Sequence, residues 1–420
     1  MWLSNKLSKI NPGLAIGVGP CTVSAVRSIP VIERTCSERY PHTPIIYGGP
    51  LASIPGLEWF FFEHLHASAV IPGDAELILA DLLTVFQSKE NRHIEGVVFD
   101  TTQKFIPNTI ADLDSLPFPA RDLFCLKYYF PSIKRNLFVF PFATMICSRG
   151  CPYDCGFCSS STIRNQIHTK RSLENISEEI RMLTRDMGTK SIVFYDDSFF
   201  SNGSSVNEEV VEFSRMIESV SPNVVWQIEL RPDMASFLSK STIEIMCRAG
   251  CRQINLGIEK GTEKGLRSIG KKLSPDQTVE ACRRIGAVPK LRLTGTFILG
   301  GPGETYDEAI ETIEFSKRLN LLFAHFHPLE IYPGTKLYQR KFGSDMQTWL
   351  KRTIDEPTFV GSLIYEDCLN ESDLIELIQG AYRTFYRRKG WIKLAKKLLG
   401  SHFKDVNSVA YSWGEGLSRW

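Results

Sequence analysis

The sequence lacks the features that mark membrane, secreted and nucleic-acid-binding proteins. Its 420 residues carry a net charge of +2, so neither a basic nor an acidic excess points to nucleic acid or a membrane surface. The longest apolar run, LFVFPFATMIC at 137–147, contains a proline and is too short to span a bilayer. The opening MWLSNKLSKINPG has no apolar signal-peptide core. These absences predict a cytoplasmic protein without nucleic-acid or membrane partners.

Cysteine is plentiful, but it is not distributed as in a disulfide scaffold. The chain has eleven cysteines, an odd number, and is long enough to build an apolar core without disulfides. Seven are scattered and are expected to be small buried apolar residues: Cys21, Cys36, Cys125, Cys247, Cys251, Cys282 and Cys368. The other four lie in CSRGCPYDCGFC at 147–158. Clustered thiols in a reducing compartment indicate a metal site or catalysis.

Short apolar runs alternate with helix-period segments from about residue 140 onward. This order predicts parallel strands with helical crossovers, and six such strands predict a partial (β/α)6 barrel over 141–345. Alternation within two strands places Gln227, Glu229 and Arg231 on one face, and Asn255 and Glu259 on one face of the next strand. The pattern favours a polar barrel interior, and a solvated sheet face is the alternative.

The flanking regions have different patterns. Residues 1–110 contain three strand–helix steps of an open doubly wound sheet, an incomplete Rossmann-like half-domain. Residues 111–140 are predicted to be a linker, because DLDSLPFPARDLF at 112–124 carries two prolines. Residues 346–420 are predicted to be helical, and their basic side chains fit a solvated helix face better than a binding site for an anionic partner.

The cysteine cluster allows more than one metal site. Cys151, Cys155 and Cys158 have the spacing C-x3-C-x2-C, and three thiolates on one loop can hold three corners of a [4Fe–4S] cube. The fourth iron is then open to a chelating ligand. Cys147 as a fourth ligand would instead give a structural zinc site. A ferredoxin-like electron carrier is a further alternative, so a non-enzymatic zinc or iron–sulfur protein competes with an enzyme at this point.

The motif CPYDCGFC resembles that of the radical S-adenosylmethionine (SAM) superfamily, C-x3-C-x-aromatic-C, with Phe157 as the aromatic residue. The resemblance implies a partial six-stranded barrel with a [4Fe–4S] cluster on Cys151, Cys155 and Cys158. It also implies SAM as cofactor, bound to the open iron and cleaved to methionine and a 5′-deoxyadenosyl radical. That radical would abstract hydrogen from a small-molecule substrate, with electrons from an external flavodoxin- or ferredoxin-type donor.

A finer resemblance is to the radical SAM subgroup with a cobalamin-binding domain ahead of the barrel. It is carried by DLDSLPFPARDLF, FYDDSF, GIEKGTE, FILGGPGET and YPGTKLY. The resemblance implies cobalamin as a possible cofactor and methyl transfer as an alternative reaction. However, the first strand–helix–strand of such a domain and the motif D-x-H-x-x-G have no counterpart here. The half-sheet is then either a remnant or the continuation of a chain that begins further upstream, and we predict weak or no cobalamin binding.

Several residues at the carboxyl ends of the predicted strands are candidates for binding SAM. Asp196 and Asp197 follow the second strand and could accept hydrogen bonds from SAM or a loop, or cap a helix. Arg231 suits a carboxylate and Glu259 a ribose hydroxyl, unless the two form a structural salt bridge. In GGPGE at 300–304, Gly300 and Gly301 are expected to bring backbone close to the adenosine, as the resemblance implies.

The substrate and the reaction that follows hydrogen abstraction have no readable signature. His325 and His327 share a face of the sixth strand and could act as acid or base, although structural histidines are the simpler reading. Methyl transfer, oxidation, dehydration and epimerisation all remain open.

Overall fold

The structure is a computed structural model that describes residues 13–19, 26–88, 93–123, 141–200, 203–356, 358, 360, 363–387 and 391. Cys21, Cys125, residues 124–140 of the predicted linker and most of the chain after 387 lie outside the described residues. The chain divides into two compact units that are not continuous in sequence. The N-terminal unit comprises Met1–Ala111, Gly156–Ile167 and Glu330–Ile364, and the barrel unit comprises Asp112–Cys155, His168–Leu329 and Tyr365–Trp420.

The N-terminal unit contains a parallel three-stranded sheet in the order β1-β2-β3. Its strands are β1 Ile16–Val18, β2 Ile45–Gly48 and β3 Ala69–Ile71, and its helices are α1 Ile29–Arg39, α2 Leu79–Ser88, α3 Ser159–Ile163, α11 Lys336–Phe342 and α12 Met346–Asp355. Apolar side chains of β2, β3 and α2, among them Ile46, Ile71 and Leu82, form one buried cluster. This is the open half-sheet that the sequence predicts.

Residues 156–167 are held within the N-terminal unit by polar contacts as well as by packing. A guanidinium nitrogen of Arg164 lies 2.8 Å from an oxygen of the Asp74 carboxylate, and both side chains are about nine-tenths buried. The Leu337 backbone N–H donates to the Gly156 carbonyl at 3.0 Å. The Thr162 hydroxyl donates to the Gly334 carbonyl at 3.1 Å. The segment that follows Cys155 is therefore bonded to Asp74, which follows β3, to Gly334, which precedes α11, and to Leu337 within α11.

The barrel unit contains a parallel six-stranded sheet in the order β11-β10-β9-β8-β7-β4. Its strands are β4 Phe142–Met145, β7 Ser191–Phe194, β8 Val225–Leu230, β9 Cys251–Glu259, β10 Arg292–Leu299 and β11 Phe323–Pro328, and β5 Ser148–Arg149 pairs separately with β6 Thr169–Lys170. The helices are α4 Leu173–Arg185, α5 Val206–Val220, α6 Pro232–Phe237, α7 Lys240–Arg248, α8 Glu263–Ser268, α9 Pro275–Gly286, α10 Tyr306–Arg318 and α13 Glu371–Arg387. The predicted fold class is confirmed, including the helical region after the barrel.

Local sequence signals explain where the crossover helices begin. Ser274 and Thr305 cap α9 and α10, and each forms a capping box with the glutamine or glutamate three residues later. Pro275 occupies the first turn of α9, as its fixed backbone angle favours. These caps end each connecting loop at a defined residue, and they fix the loops at the carboxyl ends of β9 and β10.

The two faces of the barrel sheet differ in polarity as the alternation predicts. On the outer face, the Trp226 ring lies edge-on to Phe194 and Phe213, with centroids 6.0 and 5.7 Å away. The alternate residues of β8, β9 and β10 face the barrel interior and are mostly polar. Within the described part of the chain, no helix combines the length and apolar character that a membrane crossing requires. The fold thus offers a polar interior with its loop ends gathered at one rim.

Candidate active site

The cysteine segment presents three accessible thiols and one buried thiol. Cys151, Cys155 and Cys158 are partly exposed, and the nine cysteines of the described residues are all free. Cys147 is only 5% exposed, and burial raises the pKa of its thiol well above the ordinary value. A thiol that resists ionisation is a poor metal ligand, because metals bind the thiolate. Burial raises the pKa of the Cys151 thiol as well, so exposure is what separates Cys147 from the other three, and the three-ligand set stays a prediction.

The donor set fits a cluster better than a single ion. Among the residues that the structure describes, no group of three or more His, Cys, Asp or Glu side chains converges on one point as a single-ion site requires. A [4Fe–4S] cube does not need such convergence, because each cysteine binds a different iron at its own corner. Phe157, the aromatic residue of the motif, is partly buried within the N-terminal unit.

A fixed positive charge lies beside Cys155. The Arg231 guanidinium donates to the Asp233 carboxylate at 3.0 Å through two of its nitrogens. Its carbon lies 3.7 Å from the centroid of the Tyr153 ring, and a third nitrogen lies 3.6 Å from the Cys155 sulfur. Asp233 and Tyr153 therefore orient the guanidinium beside Cys155. Arg231 does not pair with Glu259, so the mutual salt bridge considered from the sequence is not formed.

Asp196 and Asp197 hold the start of the cysteine segment. Oδ1 of Asp196 accepts hydrogen bonds from the backbone N–H of Cys147 and of Ser148 and from the Ser148 hydroxyl, at 2.5–2.9 Å. Oδ2 of Asp197 accepts from the Gly150 N–H at 3.1 Å. Neither contact is a helix cap, since α5 begins at Val206. The sequence suggested the loop that follows the strand as one source of donors, but these donors lie in the cysteine segment, and a contact with SAM stays a prediction.

Asp196 is expected to make stability fall as pH rises. Burial raises its pKa from 3.8 to about 6, so the folded chain binds a proton that the unfolded chain has already lost. The proton on Asp196 contributes fully to stability below the pKa that Asp196 has in the unfolded chain. This contribution is lost as pH rises through the pKa that Asp196 has in the folded chain. Asp196→Asn keeps the Oδ1 acceptor but removes the titration. Between about pH 4.5 and about pH 7.5, the free energy of unfolding of the variant should rise by about 2 kcal/mol relative to that of the natural chain.

Anaerobic urea unfolding of the metal-free chain at several pH values measures this difference. Asp186→Asn is the matched control, because Asp186 is exposed at the end of α4. A difference between Asp196→Asn and the natural chain that stays constant with pH would contradict the assignment.

Glu259 ends β9 in a strained conformation that brings its carboxylate back over the strand. Its φ is +69°, in the left-handed region that non-glycine residues rarely adopt. Lys271 donates to Oε1 of Glu259 at 2.9 Å and to the Gly257 carbonyl at 2.7 Å. A Cβ at Gly257 would lie 2.9 Å from that same Oε1, so a larger residue there would displace the end of the Glu259 side chain. The carboxylate is thus placed by Lys271, which the sequence did not single out.

A buried ion pair fixes the glycine-rich loop after β10. The Lys260 ammonium donates to both carboxylate oxygens of Glu304 and to the Gly300 carbonyl, each at 2.7 Å. Lys260 has no exposed surface. Gly300 and Gly301 have φ values of +83° and +135°, which only glycine adopts without strain. Both glycines are buried, and the Lys260–Glu304 pair holds the loop that contains them, so the expected contact with adenosine stays a prediction.

Sequence reasoning missed several of these residues. Asp233 could have been found from its position two residues after Arg231, and Tyr153 from its place inside the cysteine motif. Lys260, Lys271 and Glu304 carried no such signal, because their partners are 12 or 44 residues away in the chain.

Residues 145–316 match the Radical SAM superfamily. The chain is 27% identical over 390 residues to the uncharacterized methyltransferase PH0819 of Pyrococcus horikoshii, which covers 91% of this chain and 80% of the relative. The radical SAM methyltransferase TsrM from Kitasatospora setae superposes with a TM-score of 0.63 at 16% identity, over 81% of this chain and 67% of TsrM. The cobalamin-dependent radical enzyme OxsB superposes with a TM-score of 0.68 at 15% identity, over 99% of this chain and 64% of OxsB.

Residues 145–316 of the chain therefore form a radical SAM domain, and domains of this superfamily work with a [4Fe–4S] cluster and SAM. The fold of the chain is shared with cobalamin-dependent members of the superfamily. The chain spans 57–59% of the length of three further curated relatives, two tRNA-2-methylthio-N(6)-dimethylallyladenosine synthases and an anaerobic magnesium-protoporphyrin IX monomethyl ester cyclase. The names of these relatives describe different reactions, so the reaction of this chain stays open.

Proposed function

We propose that Cys151, Cys155 and Cys158 hold three irons of the [4Fe–4S] cluster and that the enzyme modifies a small molecule after cleaving SAM. The observation that carries this proposal is the contrast between three accessible thiols and the buried Cys147.

The chemistry that the bound cluster supplies is the one-electron cleavage of SAM to methionine and a 5′-deoxyadenosyl radical. The chain's own residues bind and orient. Asp196 and Asp197 hold the cysteine segment, and Asp197 and Glu259 remain our candidates for polar contacts with SAM. Gly300 and Gly301 are buried and remain candidates for the adenosine by resemblance, and Phe157 is assigned to the cofactor region by its motif alone.

The proposal extends to the surroundings of the enzyme. An external flavodoxin- or ferredoxin-type donor would reduce the cluster. A cytoplasmic location fits the free thiols of the described residues, because reducing compartments keep such cysteines unpaired.

A cobalamin-dependent methyltransferase is the second candidate. It is favoured by the superposition on OxsB, which includes the N-terminal sheet of this chain, and by the methyltransferase description of the Pyrococcus relative. Against it, the sheet has three described strands, and a ligand as large as cobalamin needs a broad prepared groove. The carboxyl ends of β2 and β3 are also occupied by the chain itself. There the Ser53 hydroxyl accepts from the Gly73 N–H at 2.7 Å, and Asn108 donates to the Pro72 carbonyl.

Anaerobic reconstitution followed by SAM and a reductant tests both candidates. We expect about four irons per chain, and 5′-deoxyadenosine that forms equally well without added cobalamin. Gel filtration after incubation with hydroxocobalamin should leave the protein without bound corrinoid. One zinc and no iron would overturn the cluster proposal. Tight, stoichiometric cobalamin would instead make methyl transfer the leading reaction.

A further inference from the structure

The interior of the barrel unit contains a carboxylate that the assigned roles leave unused. Glu229 lies on β8 between the buried outer-face residues Ile228 and Leu230, so its side chain points to the interior. The side chain is exposed, yet burial among the surrounding residues raises its pKa. A carboxylate that lines a hollow has both properties, because protein surrounds it while its oxygen atoms remain exposed to the space inside. Glu229 therefore faces space that a ligand can occupy.

The charge of Glu229 is not balanced by its neighbours. Across the described residues, it forms no ion pair or hydrogen bond, whereas the nearby Lys271 is already bound to Glu259. The negative charges of Glu259 and Asp197 raise its pKa further. Lone carboxylates in a low-dielectric hollow are costly unless a cation meets them.

The positive groups on neighbouring strands do not supply that cation. Burial and the neighbouring His327 lower the pKa of His325 on β11 to about 4, so its imidazole is neutral near neutral pH. Arg292 on β10 lies beside Gln253, one layer closer to the amino ends of the strands than Glu229. The interior at the level of Glu229 is therefore anionic.

Two polar side chains share the layer of Glu229. Strand register places Glu229 beside Asn255, and Asn255 beside Thr294. The Thr294 residue is 3% exposed, and its hydroxyl has no hydrogen-bond partner. The Asn255 side-chain oxygen accepts from Gln253 at 2.9 Å, which directs its amide group to other partners. A buried hydroxyl without a partner is costly unless a ligand completes it.

We propose that Glu229, Asn255 and Thr294 form a subsite for a protonated amine of the substrate. The inference rests on the proposed function, since it assigns a substrate class to the same barrel. The carboxylate would accept hydrogen bonds from the ammonium group, and the hydroxyl and amide would bind neighbouring polar atoms. Charge-assisted hydrogen bonds of this kind discriminate an amine from a neutral isostere by about tenfold or more.

Matched pairs of amines and alcohols test the subsite. Benzylamine against benzyl alcohol, and cadaverine against pentanediol, are titrated by ligand-observed NMR into the reconstituted, SAM-loaded enzyme without reductant. We expect each amine to bind about tenfold tighter than its alcohol. Glu229→Gln should abolish that preference, and its iron content and thermal unfolding should stay at the natural level. Glu218→Gln, the same change on the exposed face of α5, should keep the preference.

Equilibrium dialysis of SAM separates the substrate from the cofactor. We expect the SAM dissociation constant of Glu229→Gln to match that of the natural chain. Two results would overturn the subsite. In the first, the natural chain binds amines no tighter than alcohols, and in the second, Glu229→Gln still prefers amines. A large loss of SAM affinity with the amine preference intact would also overturn it, because it would assign Glu229 to SAM. Failure of the natural chain to hold iron or cleave SAM would count against the proposed function alone.

Discussion

Replacing Cys151, Cys155 or Cys158 with alanine is expected to reduce bound iron from about four atoms per chain to nearly none. Each substitution removes one corner ligand, and the loop has no fourth accessible thiol to replace it. Cleavage of SAM should fall with the iron, because the electron reaches SAM only through the cluster. Iron analysis, the visible absorption of the reconstituted protein and 5′-deoxyadenosine yield measure the effect.

Cys147→Ala is the control for these variants. Its thiol is buried and resists ionisation, so iron content and SAM cleavage should remain close to the natural level. Removing a small buried side chain should cost some stability through a cavity, about 1–2 kcal/mol. Equal loss of iron in all four variants would show that Cys147 is a ligand and that the three-ligand assignment is wrong.

Lys260→Met is expected to destabilise the barrel by about 3–5 kcal/mol, because it leaves the buried Glu304 carboxylate without its counter-charge. It also removes the hydrogen bond to Gly300, so the glycine loop should become mobile and SAM should bind more weakly. Urea unfolding and SAM dialysis measure the two effects separately. Iron content should change little, since the cysteine segment is held by other residues.

Two further variants test the explanation. The double change Lys260→Met with Glu304→Leu removes both charges, and it should recover most of the lost stability without restoring the bond to Gly300. Lys264→Met is the surface control, since Lys264 is exposed and its ion pair with Glu308 is screened by solvent, so the change should cost much less stability than Lys260→Met. A cost below about 1 kcal/mol for Lys260→Met would contradict the assigned importance of the buried pair.

The strands, the crossover helices and the barrel class could be read from the sequence because they depend on local periodicity. Ser274 and Thr305 lie three residues before the groups that complete their capping boxes, so the helix starts were visible as short motifs. The three cysteines were visible for the same reason. The interior face of β8 followed from strict alternation, which placed Gln227 and Glu229 correctly.

The electrostatic partners of the site could not be read in this way. Glu259 was an obvious charge at a strand end, but its partner Lys271 lies 12 residues further on, and their contact depends on a backbone bend. The left-handed conformation of Glu259 turns its carboxylate toward Gly257 and Lys271, and the periodicity of the sequence does not predict such a bend. The three bonds of Asp196 likewise span 48 or 49 residues of sequence.

The anchoring of residues 156–167 limits how the enzyme can be dissected. Cys158 and α3 belong to the same compact unit as the N-terminal sheet, and Arg164 ties this segment to Asp74 just after β3. A fragment beginning at residue 112 would keep all three cysteines but leave the Arg164 charge buried without its partner. The N-terminal unit therefore holds the segment that carries Cys158, one of the three proposed iron ligands, so the proposed cluster site needs residues from before position 112 to be held in place.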